Sequence, residues 1–305
     1  MRVLIIANCT NRKRTTEGEP VSIRHLPMGS VNAVATAWMK AVSLTGNLKP
    51  LTSVYCGRGF TEVLVATKAL EATLLVVSAG LGLVDASLDI PNYNATISGS
   101  GEDNVLAKLP KSDSASWWKA VCELSPFSTD LATEAYDLVL IALSRPYFPL
   151  IATQLAGLAT PERKKIRLFL SISACELPEQ LRANLMPYGD RFDHEDGPIP
   201  GTKSDFTQRA LRHFTNILIS NDAQHECAES HRDRIERELE NLDSPVRPQR
   251  KRLDDSEIAV LIGRHWHDAQ GGSARMLRYL RDTLGVACEQ KRFQGIFNNI
   301  REATK

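Results

Sequence analysis

Apolar residues in this chain gather into short continuous runs, at Val3 to Ala7, Ser53 to Cys56, Leu74 to Ser78, Leu138 to Leu143 and Ile166 to Ile172. Strict alternation would mark strands wet on one face, whereas continuous runs mark strands covered on both. Between the runs, apolar positions recur at helical spacing over Val31 to Ser43 and Thr61 to Leu70. Strand and helix therefore alternate, and the pattern predicts a three-layer α/β domain around a mostly parallel sheet over residues 1–204. Two long polar stretches interrupt it, Ser98 to Ser114 and Met186 to Asp205. Loops of that length are commonly functional, and Asp193, His194, Glu195 and Asp196 in the second suggest either a solvated turn or a lid.

Beyond Asp205 the pattern turns helical. FTQRALRHFTNILIS and the charged run from Gln224 to Asn241 predict a helical extension over 205–242. Two prolines and a basic cluster in DSPVRPQRKRLDDS predict a linker at 243–256. GGSARMLRYLRDTLGV and ACEQKRFQGIFNNIREA then read as two amphipathic helices about a tight turn, so residues 257–305 are expected to form a basic, helix-turn-helix-like domain.

Composition adds little until it is localised. The 305 residues are 43% hydrophobic with a formal net charge of +1, which neither demands nor excludes nucleic acid. From Arg247 onward, however, 12 Lys and Arg stand against 7 Asp and Glu, so the basic excess sits in the tail. Six cysteines lie scattered without a close pair, which suits reduced core thiols. No stretch reaches about 18 apolar residues, and MRVLIIANCT reads as a buried strand rather than a leader. A cytoplasmic protein without a membrane partner is expected.

The phosphate-loop, HExxH, CxxC and GxSxG signatures are missing. Gly80-Leu81-Gly82 imitates a dinucleotide fingerprint, but Asp85 stands where the third glycine belongs. His225 with His231 and His265 with His267 are poorly spaced for a shared metal and read as surface histidines. No metal and no cofactor is expected.

Ligands of open α/β sheets bind beyond the carboxyl ends of the strands. There the chain offers Asn8, Cys9, Asn11, Arg12 and Lys13, then Arg58 beside glycines, then Ser78 and the segment Asp85 to Asn94. Asn8 ends an apolar strand and must be hydrogen-bonded or face the cleft. Asp89, Asn8 and Asp85 are the catalytic candidates, as groups that orient water or face a developing positive charge. Tyr93 is the candidate stacking ring and Asn94 a reader of a base edge, with Cys9, Asn11, Arg58, Ser78 and His25 completing a substrate set. Arg12, Lys13, Arg275, Arg278, Lys291 and Arg292 are candidate DNA contacts. Trp266, Tyr279 and Phe293 read as core.

The strand ending in Asn8-Cys9-Thr10 with Arg12-Lys13, together with SAGLGLVD and DIPNYNATI, resembles the uracil-DNA-glycosylase-like superfamily, which includes the archaeosine synthase core domain. An α/β core followed by a basic helical tail looks most like the prokaryotic phage-defence DNA glycosylases within it. That resemblance implies a metal-free, base-flipping enzyme that excises glucosylated hydroxymethylcytosine from phage DNA and leaves abasic sites. The water-activating Asp and His motifs of ordinary uracil glycosylases are not recognisable here. The expected partner is accordingly duplex DNA bearing modified bases. A tRNA- or nucleoside-modifying enzyme on the same core and a non-enzymatic DNA-binding regulator are the alternatives.

Overall fold

A computed structural model describes residues 1–14, 19–99, 101–109, 113–245, 249–270 and 272–303. The chain divides into two compact units, Met1–Pro245 and Val246–Lys305. The first is mixed α/β around five strands, β1 (Val3–Asn8), β2 (Thr73–Ser78), β3 (Gly82–Asp85), β4 (Leu138–Ala142) and β5 (Ile166–Phe169). Their order is β3-β2-β1-β4-β5, and every pairing is parallel except that of β2 with β3.

The continuous apolar runs have the consequence expected of them. Leu4 to Ala7 and Leu138 to Ala142 are buried without a break, and since successive side chains point to opposite faces, helices must cover both. Two helix groups do so. Helices α1 (Val31–Ser43), α3 (Ser114–Leu124) and α4 (Phe148–Ala156) pack in sequence, while α2 (Arg58–Ala69) packs on α5 (Phe206–Ser220), which also lies over β4 and β5. Helix α6 (Ala228–Glu238) follows α5.

The run Ser53 to Cys56 is not a strand. Leu51–Val54 is a single helical turn, and Tyr55 forms one bridge with Lys13. Four residues are too few for periodicity to separate a buried strand from a buried turn. The stretch read as an extension belongs to the first unit: Phe206, Ala210, Leu211 and Phe214 lie in its core. His231 is fully buried rather than a surface residue, with Nδ1 accepting from Arg167 at 2.8 Å and Nε2 hydrogen-bonded to the Ala223 carbonyl at 2.8 Å.

The second unit has its own core, made of Ile258, Ile262, Met276, Leu280, Phe293 and Phe297. Structure begins inside the stretch read as linker. Lys251–Arg252 pairs in parallel with Val286–Ala287, and α7 (Asp255–Arg264) starts from an Asp254 capping box. Helix α8 (Ser273–Arg278) runs on as a π-helical turn over Tyr279–Thr283, and α9 (Gln290–Ala303) closes the unit. Phe293 is buried, whereas Trp266 stacks half-buried on Phe297 and Tyr279 packs on His265. Among the described residues no helix is long and apolar enough to cross a membrane.

Candidate active site

The chain leaves β1 toward β2 and β3 and returns to the other side of β1 for β4 and β5, so the strand order reverses between β1 and β4. Connections diverge at such a point and open a crevice beyond the carboxyl ends. A cavity of about 430 Å³ lies there, with Asn8, Thr10, Arg58, Ser144, Tyr147 and Gln208 in its walls.

Asn8 ties the floor together. Its Nδ2 donates to the Cys9 carbonyl at 2.8 Å, and its Oδ1 accepts from the Ser144 amide at 2.9 Å and from Gln208 Nε2 at 3.2 Å. Because the Ser144 N–H is a fixed donor, Asn8 must present its oxygen there, and Gln208 must answer with its nitrogen. That leaves Gln208 Oε1 buried beside Gly59 with no hydrogen-bond partner among the described residues, in a residue only 5% exposed. Buried acceptors in native proteins are generally paired; this one is closed to solvent, so a donor in the cavity meets it only when the Gln208 amide turns toward the cleft.

The adjoining wall, which packs on Gln208 at Gly59, carries positive potential. Helix α2 begins there with Gly57 at its N-cap, which provides no capping side chain and adopts φ +102. The first-turn N–H groups of a helix have no intrahelical acceptor and favour anions. Arg58 extends from this turn, half-exposed, with Nε 3.6 Å from Asp205 and a hydrogen bond to the Pro200 carbonyl. Asp205 is the carboxylate of the cleft, and Thr202 and Ser204 stand beside it.

A buried cation fixes that rim. Arg209 is 0% exposed, donates to Asp205 at 2.8 Å, to the Ile199 carbonyl at 2.8 Å and to the Thr202 carbonyl at 3.0 Å, and pairs with Asp193. The polar stretch read as a lid is therefore stapled at Asp193, Ile199, Thr202 and Asp205 to one guanidinium.

Cys9 is buried with Sγ 3.5 Å from the Tyr147 hydroxyl, and both line the cleft. Burial raises the Tyr147 phenol well above its ordinary range. Asn11 and Arg12 line the cleft as exposed residues, and Asn11 also borders a neighbouring cavity of about 280 Å³ with Lys13, Asn94, Thr96, Ser98 and Asp103. Asn94 thus faces this second cavity. Lys13 is turned inward rather than toward surface phosphates, with Nζ 4.3 Å from the Tyr93 ring centroid. Burial lowers its pKa, against the opposing fields of Cys9, Asp103 and Cys56.

Several candidates lie elsewhere. Tyr93 is fully buried, with its hydroxyl 2.6 Å from that of Tyr55 and 2.5 Å from Ser78 Oγ, so no base can stack on it. Ser78, equally buried, accepts from the Leu81 amide at 3.0 Å. Asp85 accepts from the Ser87 amide at 2.8 Å in a turn, and Asp89 is exposed on a short segment paired with Leu48–Pro50. The reason is topological: β3 runs antiparallel, so its end returns toward the amino ends of the parallel strands and carries both carboxylates away from the cleft. His25 is exposed, accepts from Arg24 Nε at 3.2 Å and lies outside both cavities.

In the second unit Arg278 and Lys291 are exposed, and Arg275 bonds to Gln270. Arg292 is bound internally, donating to Asp255 at 2.6 Å and to the Leu253 carbonyl at 2.9 Å, so it braces the unit. Among the described residues no cluster of three metal-ligating side chains occurs.

Sequence reasoning missed Ser144, Tyr147, Asp205 and Gln208. The first two follow β4 directly and were open to the same strand-end argument that found Asn8. Gln208 sits inside a helix with no motif to mark it. Compared with known protein families, curated proteins and solved structures, the chain gives no significant match.

Proposed function

We propose that the protein is a DNA N-glycosylase that draws a flipped, modified base into the cleft between β1 and β4. The observation that carries this reading is the polar cleft at the reversal of strand order, which brings Asn8, Gln208, Arg58 and Asp205 into one lining. The spare carbonyl of Gln208, once its amide turns toward the cleft, suits an exocyclic amino group, such as the one at C4 of a cytosine. The uncapped start of α2 with Arg58 and Arg12 supports a phosphate beside that base. A volume of about 430 Å³ lies within the ordinary range for small-molecule sites and leaves room for a substituent on the base.

In this reading Asp205 takes the part first given to Asp89 and Asp85: its carboxylate faces the positive charge that develops on the sugar as the glycosidic bond breaks. Asn8 keeps Gln208 in register. Arg278, Lys291 and Arg275 hold duplex phosphates, as a basic helical unit would. Superfamily likeness and a role in phage defence belong to the same proposal.

The test is to incubate the full chain with unmodified, hydroxymethylated and glucosyl-hydroxymethylated phage DNA, then treat each with an abasic-site endonuclease. Fragmentation of the glucosylated sample alone is the expected result. Intact DNA in all three samples, with the protein folded, overturns the glycosylase reading. Preferential action on tRNA would favour the RNA-modifying alternative, and tight binding of one sequence without base release would favour the regulator.

A further inference from the structure

One nucleophile near the cleft has no part in that excision. Lys13 lines the 280 Å³ cavity, which shares Asn11 and Ser98 with the main cleft. Its ammonium group lies over the face of Tyr93 at 4.3 Å and within 5.8 Å of the Tyr55 ring centroid. Among the described residues no carboxylate pairs with it at salt-bridge distance. Asp103, the acid in the same cavity, accepts from Ser22 Oγ at 2.5 Å. The remaining titratable groups around it are the Cys9 and Cys56 thiols and the Tyr55 and Tyr93 hydroxyls.

A lysine that only steadies DNA phosphates needs a hydrated charge at the surface. One walled by aromatic rings, with no carboxylate at salt-bridge distance among the described residues, is of the kind that forms imines with carbonyl compounds. Base removal creates such a compound, because an abasic deoxyribose opens to an aldehyde at C1′. We propose that Lys13 condenses with this aldehyde and that the protein thereby cleaves the strand it has made abasic; this inference rests on the glycosylase reading.

The atoms balance without an added oxidant or reductant. The neutral amine adds to C1′, the carbinolamine loses water, and Lys13 is joined to C1′ as a protonated imine. That imine acidifies C2′–H, whose proton is lost to solvent or a nearby base. The electron pair of the C2′–H bond forms the C2′=C3′ double bond while the C3′–O bond breaks, and the 3′ phosphate leaves with its oxygen. Water then hydrolyses the imine and frees Lys13. Burial, which lowers the Lys13 pKa, increases the neutral amine available at neutral pH.

The experiment uses the full chain and a duplex in which a single abasic site has been generated beforehand, so no glycosylase activity is required. With cyanoborohydride present, the expected product is a covalent protein–DNA adduct whose sugar remnant maps to Lys13 by mass spectrometry. Lys13→Arg, which keeps the charge but forms no imine, should reduce the adduct at least a hundredfold. An adduct on another lysine, or none, overturns the proposal. A second arm tests the amine without DNA: glycolaldehyde and cyanoborohydride at pH 7 should modify Lys13 faster than the exposed Lys40, and slower modification of Lys13 also overturns it. Trapping at Lys13 with no excision from any phage DNA would keep the imine chemistry of Lys13 while the glycosylase reading fell.

Discussion

Gln208 donates to Asn8 across 3.2 Å although 200 residues separate them in sequence. The contact joins the end of β1 to the first turns of α5 and, through the Ser144 amide on the same Asn8 oxygen, to the turn after β4. Replacing Asn8 with Ala orphans that amide and frees Gln208, at a cost of about 1–3 kcal/mol. Urea denaturation should register the loss. Gln208→Met, which keeps the volume but removes the acceptor, should leave the fold intact and slow the proposed excision by roughly tenfold to a hundredfold.

Arg209 is a buried cation between Asp205 and Asp193. Arg209→Met should lower stability by about 3–5 kcal/mol, because Asp193 loses its cation and Asp205 keeps only the more distant Arg58. Gly201→Ala should act in the same direction, since a Cβ at Gly201 overlaps the Arg209 side chain and the Asp205 carboxylate. A limited-proteolysis comparison should then find residues 190–205 cut earlier in both variants.

His213 is buried against Tyr188, whose hydroxyl lies 2.9 Å from Nδ1, and burial lowers its pKa from 6.5 to about 4. Between those values the unfolded chain binds the proton and the native chain does not, so stability rises with pH. The native state should be fully favoured above pH 6.5 and lose up to about 3 kcal/mol as pH falls to 4. Burial also depresses His231, which adds to the same trend. Measured from pH 7 to pH 4.5, His213→Gln should flatten the profile in part, and the wild-type slope in that variant would show that His213 is not its source.

Arg278 and Lys291 are exposed on the second unit, whereas Arg292 is bound to Asp255 and the Leu253 carbonyl. Removing either exposed charge should reduce the slope of log affinity for duplex DNA against log salt by about one. Arg292→Ala should instead lower the melting temperature.

Gly80 is packed between rings: a Cβ there meets Tyr93 at 2.8 Å and Trp38 at 3.1 Å, and Trp38 Nε1 donates to the Gly80 carbonyl at 2.6 Å. Gly80→Ala should cost about 1–3 kcal/mol from overpacking. The glycines of SAGLG serve a tight, buried hairpin, which is why they imitate a phosphate fingerprint without lining the cleft.

The α/β class and the mostly parallel sheet were legible because continuous apolar runs have few other uses. Asn8 was legible too, as a polar residue closing such a run. Asp85 and Asp89 were misplaced because apolar patterning does not state strand direction, and the antiparallel β3 sends the following segment back along the sheet; Tyr93 stays near the carboxyl end of β2 but is sealed by burial against Ser78 and Tyr55. The helix Leu51–Val54 was misread because its four residues match either period. Gln208 was invisible, since its importance lies in a hydrogen bond that only the tertiary fold creates.

The bridge from Asn8 to Gln208 also dates the cleft within the life of the chain. At synthesis rates of about 5–20 residues per second, roughly 10–40 seconds pass between the emergence of the two residues from the ribosome. Throughout that interval β1 has its neighbours in preparation but no finished site. An amino-terminal fragment ending before α5 has the strands and Asn8, yet lacks Gln208 and the Arg209 staple, so truncated products carry no assembled cleft.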